Sequence, residues 1–453
     1  VRFAARRTVT ALLVTLCALV LAALVATPGA AAQSPRKAQQ PQPSGGQTPT
    51  TTGNSAPTGA QCQNHDRPPP PVDTSEEPKP GQSTPQALPV PEEPVGGTRM
   101  GECGMVTPPG AKAAIAGDVV SASWIVADLD SGAVLAAKDP HARERPASLI
   151  KTLLAIVVIR ELRMDEVVVG TQEDAEQEGT KVGIGPGGQY TVRQLLQALL
   201  MRSGNDAAHA LAARLGGVPT ALDKMNALAK ELGALDTRAA TTSGLDGPGM
   251  STSAYDLILV FRAAMKHKEF AEAVGTKTID FPGYANKPGY KVVNDNKLLG
   301  RYQGFLGGKT GFTDDARHTY VGAAERTGKR IAVVLVRGEQ TPSLMVDQGS
   351  RLLDYGFALL TENAKPVGVL VDHAPEAQPK PNTGLSNAPA NSDSAPAPSA
   401  QGAAAPATAD TDRSAFGNYG APLVALAGAA VVVALGLWLR QKRARAARAR
   451  RTG

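Results

Sequence analysis

Three short motifs, Ser148-Leu-Ile-Lys151, Ser203-Gly-Asn205 and Lys309-Thr310-Gly311, follow one another in one continuous stretch of this 453-residue chain. None means much alone, since a serine three residues before a lysine is expected by chance in a chain of this length. Together they are chemically coherent: a hydroxyl nucleophile, a lysine to deprotonate it, a second hydroxyl with an amide, and a cationic segment for an anionic substrate end. Such a set works only in a fold that gathers the start, middle and end of the stretch into one cleft.

The stretch is residues 111–365, enough for one sizeable core. It opens with strand-like Ala122–Asp128, a turn at Asp130-Ser-Gly132 and Ala133–Ala137, which is a hairpin signal. Helical patterns follow over Leu149–Leu162, Val192–Met201, Asp206–Leu215 and Ala221–Leu232. Strands return at Thr319–Ala323 and Ile331–Val336 around the turn Arg326-Thr-Gly-Lys329, and a last helix is expected over Ser343–Leu360. The expected class is α/β in the broad (α+β) sense: an antiparallel sheet built from both ends of the stretch, with a helical region inserted between.

Each motif has an ordinary reading and a chemical one. Pro146-Ala-Ser148 opens a helix rich in Leu, Ile and Val, and Ser148 and Lys151 share one face of it. The ordinary reading is a terminal serine and a snorkelling lysine. The chemical reading is a desolvated, neutral Lys151 that takes the Ser148 proton. Ser203-Gly-Asn205 lies between two helical patterns, where it could cap the second helix; as chemistry, Ser203 relays a proton to a leaving amine and Asn205 binds the substrate backbone and Lys151. Gly307-Gly308-Lys309-Thr310-Gly311-Phe312 precedes the late hairpin, either as a plain turn or as a strand on which Lys309 and Thr310 hold a carboxylate. The Lys309 charge would also disfavour protonation of Lys151. A phosphate loop is disfavoured, because Gln303 stands where its first glycine should be.

The ends of the chain carry topology signals. Residues 1–32, with Arg2, Arg6 and Arg7 before an apolar run and Ala30-Ala31-Ala32, read as a secretory signal. Residues 33–110 are rich in Pro, Gln, Ser and Thr and are expected to be a disordered extension; 366–420, rich in Ala, Pro and Ser, is expected to be a linker. Residues 421–439 form an apolar run followed by seven basic residues in 440–453, which reads as a single spanning helix with a cytoplasmic tail. These readings place the catalytic stretch on the cell-wall side of the membrane. Formal charge is +6, but the three N-terminal arginines and seven tail residues account for ten positive charges, leaving about −4. Nucleic-acid binding therefore has no support. Cys62 and Cys103 would both face an oxidising exterior, where a structural disulfide between them and a pair of free thiols are both open. No His-Glu-x-x-His or clustered-cysteine spacing calls for a metal, and no cofactor is expected.

Residues 111–365 resemble the low-molecular-mass penicillin-binding proteins of D-alanyl-D-alanine carboxypeptidase type. Besides the three motifs, Ser243-Gly-Leu-Asp-Gly-Pro-Gly-Met, Ser253-Ala-Tyr-Asp256 and Lys309-Thr-Gly-Phe-Thr-Asp314 carry the resemblance. It implies a β-lactamase/transpeptidase-like fold, Ser148 as acylated nucleophile, Lys151 as its base, Ser203 and Asn205 as the second catalytic element, and Lys309, Thr310 and Gly311 as the substrate strand. It also implies an oxyanion hole from the backbone N–H groups of Ser148 and Phe312. The implied substrates are peptidoglycan stem peptides ending in D-Ala-D-Ala, and β-lactams would be inhibitors. A D,D-transpeptidase or endopeptidase shares the acyl-enzyme. A serine β-lactamase would need a Glu-x-x-Leu-Asn segment, and none occurs between 206 and 309. A silent wall-binding or β-lactam-sensing module is the reading from a different class.

Overall fold

The computed structural model describes residues 62–375. The signal segment, residues 33–61 of the extension, the linker beyond 375, the spanning helix and the basic tail lie outside the described residues. No helix among the described residues is long and apolar enough to cross a membrane.

Three strands come early: β1 (Met105–Val106), β2 (Ser123–Asp128) and β3 (Ala133–Lys138). The middle holds helix α1 (Lys151–Glu161), strand β4 (Val167–Val169), helix α2 (Gln172–Glu176), strand β5 (Gln189–Thr191), and helices α3 (Val192–Met201), α4 (Asn205–Arg214), α5 (Val218–Leu232), α6 (Ala254–Ala264) and α7 (Lys268–Gly275). A small ribbon of β6 (Thr278–Phe281) and β7 (Tyr290–Val293) precedes β8 (Phe305–Thr313), β9 (Arg317–Arg326), β10 (Lys329–Gly338), α8 (Met345–Thr361) and β11 (Gly368–Val369). The main sheet runs β1-β3-β2-β10-β9-β8, with β11 beside β3 and every pair antiparallel. The early hairpin and the late meander meet where β2 pairs with β10, so the sheet is built from both ends of the domain, and the helices between them form the insert.

Both faces of this sheet are covered, which is why β10 reads as an unbroken apolar run instead of alternating. Ile331, Val333 and Leu335 pack with Leu352, Leu353 and Leu359 of α8 on one side. Ala332, Val334 and Val336 join Leu153, Leu154 and Ile258 of α1 and α6 on the other. Helix α1 is buried over its first eight residues, and enclosing Leu153, Leu154, Ile156, Val157 and Val158 contributes on the order of 10 kcal/mol. That supply of apolar burial is what holds Lys151 at the start of the same helix.

The extension and the domain boundary differ from expectation. Residues 62–110 are not a disordered extension but lie along the catalytic domain as a strap. Its composition is poor in apolar residues, yet Val95 and Met100 enter the core and its backbone carbonyls satisfy the buried Arg143 guanidinium. Cys62 and Cys103 are joined in a disulfide that closes this strap. At the other end the chain stays on the domain past 365, because β11 adds to β3 and Val367 and Leu370 are buried.

Candidate active site

Ser148 lies in a single 3-10 turn, Ala147–Ile150, that runs straight into α1. From residue 142 to residue 158, Ser148 is the one side chain not buried, so the chain is packed away around it and the hydroxyl is left open. The entry to the turn is strained: Ala147 has φ 46°, a left-handed value that costs a residue with a Cβ about 1 kcal/mol or more. The Pro146 carbonyl is held by the Thr319 hydroxyl of β9 at 3.0 Å.

Lys151 is fully buried, and its Nζ lies 2.8 Å from Ser148 Oγ and 2.7 Å from Asn205 Oδ1, with the Ser243 carbonyl as third neighbour. Asn205 is oriented by its own amide nitrogen, which donates to the Glu178 carbonyl at 2.7 Å, so its oxygen faces the lysine. Burial holds Lys151 well below the usual lysine range, and the charge of Lys309 adds to the effect, against smaller opposing contributions from Asp206 and Asp295. A neutral amine has two N–H donors and one lone pair. Two of its three neighbours, Asn205 Oδ1 and the Ser243 carbonyl, only accept, so the lone pair is left for the Ser148 hydroxyl. The arrangement suits a base before the reaction begins.

Ser203 joins α3 to α4 and is mostly buried, with φ 59°. A positive φ on a residue with a Cβ is uncommon and costs about 1 kcal/mol or more, so the surrounding packing must hold this connection in place. The ordinary reading of this motif as a helix cap does not apply, since the N-cap of α4 is Gly204 without a side-chain bond and Asn205 turns to Lys151. The connection is braced by Asp206, whose carboxylate accepts from the N–H groups of Val182, Gly183 and Ile184 at 3.0, 2.7 and 3.0 Å.

The third motif lies on β8, the edge strand of the sheet, not in a turn. Lys309 is fully buried, its Nζ donating to the Thr310 carbonyl at 2.6 Å, and burial lowers its pKa as well. Thr310, Gly311 and Phe312 open toward solvent. Gly311 permits the close approach of β8 to the Ser148 turn: a Cβ there would stand 2.4 Å from Thr319 Oγ1, 2.9 Å from the Ser148 nitrogen and 3.1 Å from Ala147 Cβ. The exposed Phe312 ring lies against His318, tilted by 40° with 4.5 Å between centroids. The structure thus brings Ser148, Lys151 and Asn205 into contact and sets Gly311 against the Ser148 backbone, with Ser203 two residues from Asn205.

Sequence reasoning missed three contributors. The Ser243 carbonyl touches Lys151, but a backbone oxygen leaves no side-chain signature. Asp206 was readable only as the start of a helix. Asp295, which accepts from the Thr310 hydroxyl at 3.4 Å, is separated from β8 by a loop that the sequence pattern does not place.

A part-open serine hydroxyl against a fully buried lysine, beside an open edge strand, is an arrangement suited to an active-serine peptidase. A family profile described as D-alanyl-D-alanine carboxypeptidase matches residues 110–340. The chain is 48% identical over 242 residues to D-alanyl-D-alanine carboxypeptidase DacB2 of Mycobacterium tuberculosis, covering 52% of this chain and 82% of that one. It is 30% identical over 242 residues to DacF of Bacillus subtilis, spanning 52% of this chain and 62% of that relative's length. Among solved structures, a D-alanyl-D-alanine carboxypeptidase from M. tuberculosis aligns with TM-score 0.55 and 45% identity over 58% of this chain and all of that one. A mutant of the Streptomyces K15 DD-transpeptidase aligns with TM-score 0.51 and 27% identity, over 52% of this chain and 98% of that one. The chain belongs to the D-alanyl-D-alanine carboxypeptidase family of serine peptidases, and its sheet and helical insert are the fold of that family.

Proposed function

We propose that this domain removes the terminal D-alanine of peptidoglycan stem peptides through an acyl-enzyme on Ser148. The observation that carries the proposal is the place of Lys151 Nζ, buried 2.8 Å from Ser148 Oγ with two pure acceptors, Asn205 Oδ1 and the Ser243 carbonyl, as its other neighbours, so that a neutral amine there turns its lone pair to the hydroxyl. An extended peptide adds alongside the free edge of β8, where backbone groups from Thr310 to Phe312 are open to it. Its terminal carboxylate sits at the Thr310 hydroxyl in the positive field of Lys309.

Ser148 Oγ attacks the penultimate carbonyl while its proton passes to Lys151 Nζ. The oxygen that becomes negative is held by the Ser148 and Phe312 N–H groups. Lys151 returns the proton, with Ser203 as relay, to the departing D-alanine nitrogen, and the C–N bond breaks. Water then attacks the ester carbonyl, giving one proton to Lys151, which passes it to Ser148 Oγ as the C–O bond breaks, so that the acid product leaves and both residues return to their starting state. A β-lactam offers a strained amide and a carboxylate in similar places and should acylate the same serine, with slow hydrolysis, since no water-activating Glu-x-x-Leu-Asn segment is present.

Export by the segment 1–32 and tethering by a helix at 421–439 complete the proposal, with the catalytic domain on the cell-wall side. A second reading, transfer of the acyl group to an amine, is favoured by the likeness to the Streptomyces K15 DD-transpeptidase. The test is mass spectrometry of the denatured full chain after a fluorescent penicillin. A stable adduct on Ser148, lost in Ser148→Ala, is expected, along with D-alanine release from a D-Ala-D-Ala peptide. Release undiminished in Ser148→Ala would refute the mechanism, and a new amide formed with an added amine acceptor would favour transfer.

A further inference from the structure

The strap 62–103 is closed by the Cys62–Cys103 disulfide, lies outside the matched family stretch, and touches the domain where the nucleophile's segment begins. Three consecutive charged residues, Arg143, Glu144 and Arg145, are almost fully buried immediately before Pro146-Ala147-Ser148, and the strap engages all three. The Arg143 backbone N–H donates to the Asn64 carbonyl at 2.7 Å, and its guanidinium donates to the carbonyls of Asp66, Leu88 and Pro89 at 2.7, 2.6 and 3.0 Å. The Asn64 amide donates to Glu144 Oε1 at 3.3 Å. Arg145 forms a two-pronged pair with Glu76, in which Nη2 lies 2.7 Å from Oε2. The same piece of strap reaches the far end of the substrate strand, where the Ser75 hydroxyl donates to Asp315 at 3.2 Å and the Val72 N–H donates to it as well.

We propose that the strap is a positioning element for the acylation step. It ties residue 145, three before the nucleophile, to residue 315, two beyond β8, so that the two walls of the cleft are held across their mouth. The need for such a tie follows from Ala147. Its left-handed backbone aims Ser148 at Lys151, and a strained residue persists only when its neighbours over-determine it. On the inner side Gly311 and Thr319 do this. On the outer side Glu76 and Asn64 do it by gripping 143–145. Bidentate pairing of a buried guanidinium fixes direction as well as distance, so the strap acts on geometry and not only on stability. Lys151 and the Ser148 and Phe312 amides remain the groups that touch the reacting atoms.

This inference rests on the acyl-enzyme reading above. The test is stopped-flow acylation of the full chain by a fluorescent penicillin over a range of concentrations and pH, giving the saturating rate constant, the half-saturating concentration and the burst amplitude. Ser75→Ala/Glu76→Gln should lower the saturating rate constant about tenfold and leave the half-saturating concentration within about twofold. Glu76→Asp should recover most of the loss, because it keeps the charge and the pairing. A purely structural role would lower the amplitude, as less protein folds, and leave the rate constant of the surviving fraction unchanged; that result overturns the inference, as does no change in either. Ser75→Ala alone, at an exposed hydroxyl, keeps the comparison possible if the double variant folds poorly, and it should slow the same step by about threefold. Wild-type protein that forms no Ser148 adduct at all would instead overturn the reading of the function on which this rests.

Discussion

Replacing Gly311 by alanine tests the idea that catalysis depends on how closely β8 approaches the nucleophile. Gly311 is extended and not left-handed, so alanine meets no backbone strain there and the effect is steric alone. The new Cβ would stand 2.4 Å from the buried Thr319 hydroxyl and 2.9 Å from the Ser148 nitrogen, whereas atoms in good contact stand about 3.5 Å apart, so β8, Thr319 and the Ser148 turn must together give by about 1 Å. A displacement of about 1 Å in a reacting arrangement costs about a hundredfold, so acylation should slow by about a hundredfold, or about 3 kcal/mol of barrier. Folding should lose about 1–3 kcal/mol from overpacking against the same turn. Gly328 is the contrast, with φ 72° in the β9–β10 turn and nothing near its missing Cβ. Gly328→Ala should cost about 1 kcal/mol of stability through left-handed strain and leave acylation untouched. Rates come from burst kinetics with a fluorescent penicillin and stabilities from urea unfolding. Gly311→Ala acylating within threefold of wild type would refute the steric argument.

Three further outcomes follow from the charges around the cleft. If Lys151 is the base, as proposed, the acylation rate should climb with pH through that residue's depressed pKa; Lys309→Gln removes a positive neighbour, lets that pKa rise, and should move the ascending limb of the pH–rate profile to higher pH. Asp206→Asn keeps only one acceptor oxygen for the three N–H groups of Val182, Gly183 and Ile184, so urea unfolding should show a loss of about 3 kcal/mol and acylation should slow as the support of Asn205 loosens. Burial, with Asp315 nearby, lifts the half-buried Asp246 from 3.8 to about 6. The native state holds that proton more tightly than the unfolded chain, so this contribution is complete below about pH 4 and is lost as pH rises to about 6. Asp246→Asn should therefore gain about 1 kcal/mol over wild type between those pH values, after allowance for solvent screening, with a flat difference above them.

Much of the scaffold was legible because its elements are long and strongly patterned. Val192–Met201 is a helix with the bounds that its periodicity predicts, and both hairpins fall where their turns stand. Pairing β2 with β10 follows once the apolar run at Ile331–Val336 is read as a strand covered on both faces. The strap was not legible, because its fit rests on backbone carbonyls offered to Arg143 and on single ion pairs such as Glu76 with Arg145. A Pro- and Ser-rich composition describes how little core a segment can make by itself, and says nothing of a buried guanidinium waiting on another segment.

By itself the sequence determined the residue types that the chemistry needs, their order, and the apolar helix that buries a lysine next to a serine. Only the tertiary structure decided which atoms meet. Lys151 finds its third neighbour in the Ser243 carbonyl, Asn205 is turned by the Glu178 carbonyl, and Gly311 admits β8 to within reach of the Ser148 nitrogen. Side-chain identity is written along the chain, whereas the positions of backbone oxygens and the gap between a strand and a turn exist only after residues distant in sequence have been packed to native density.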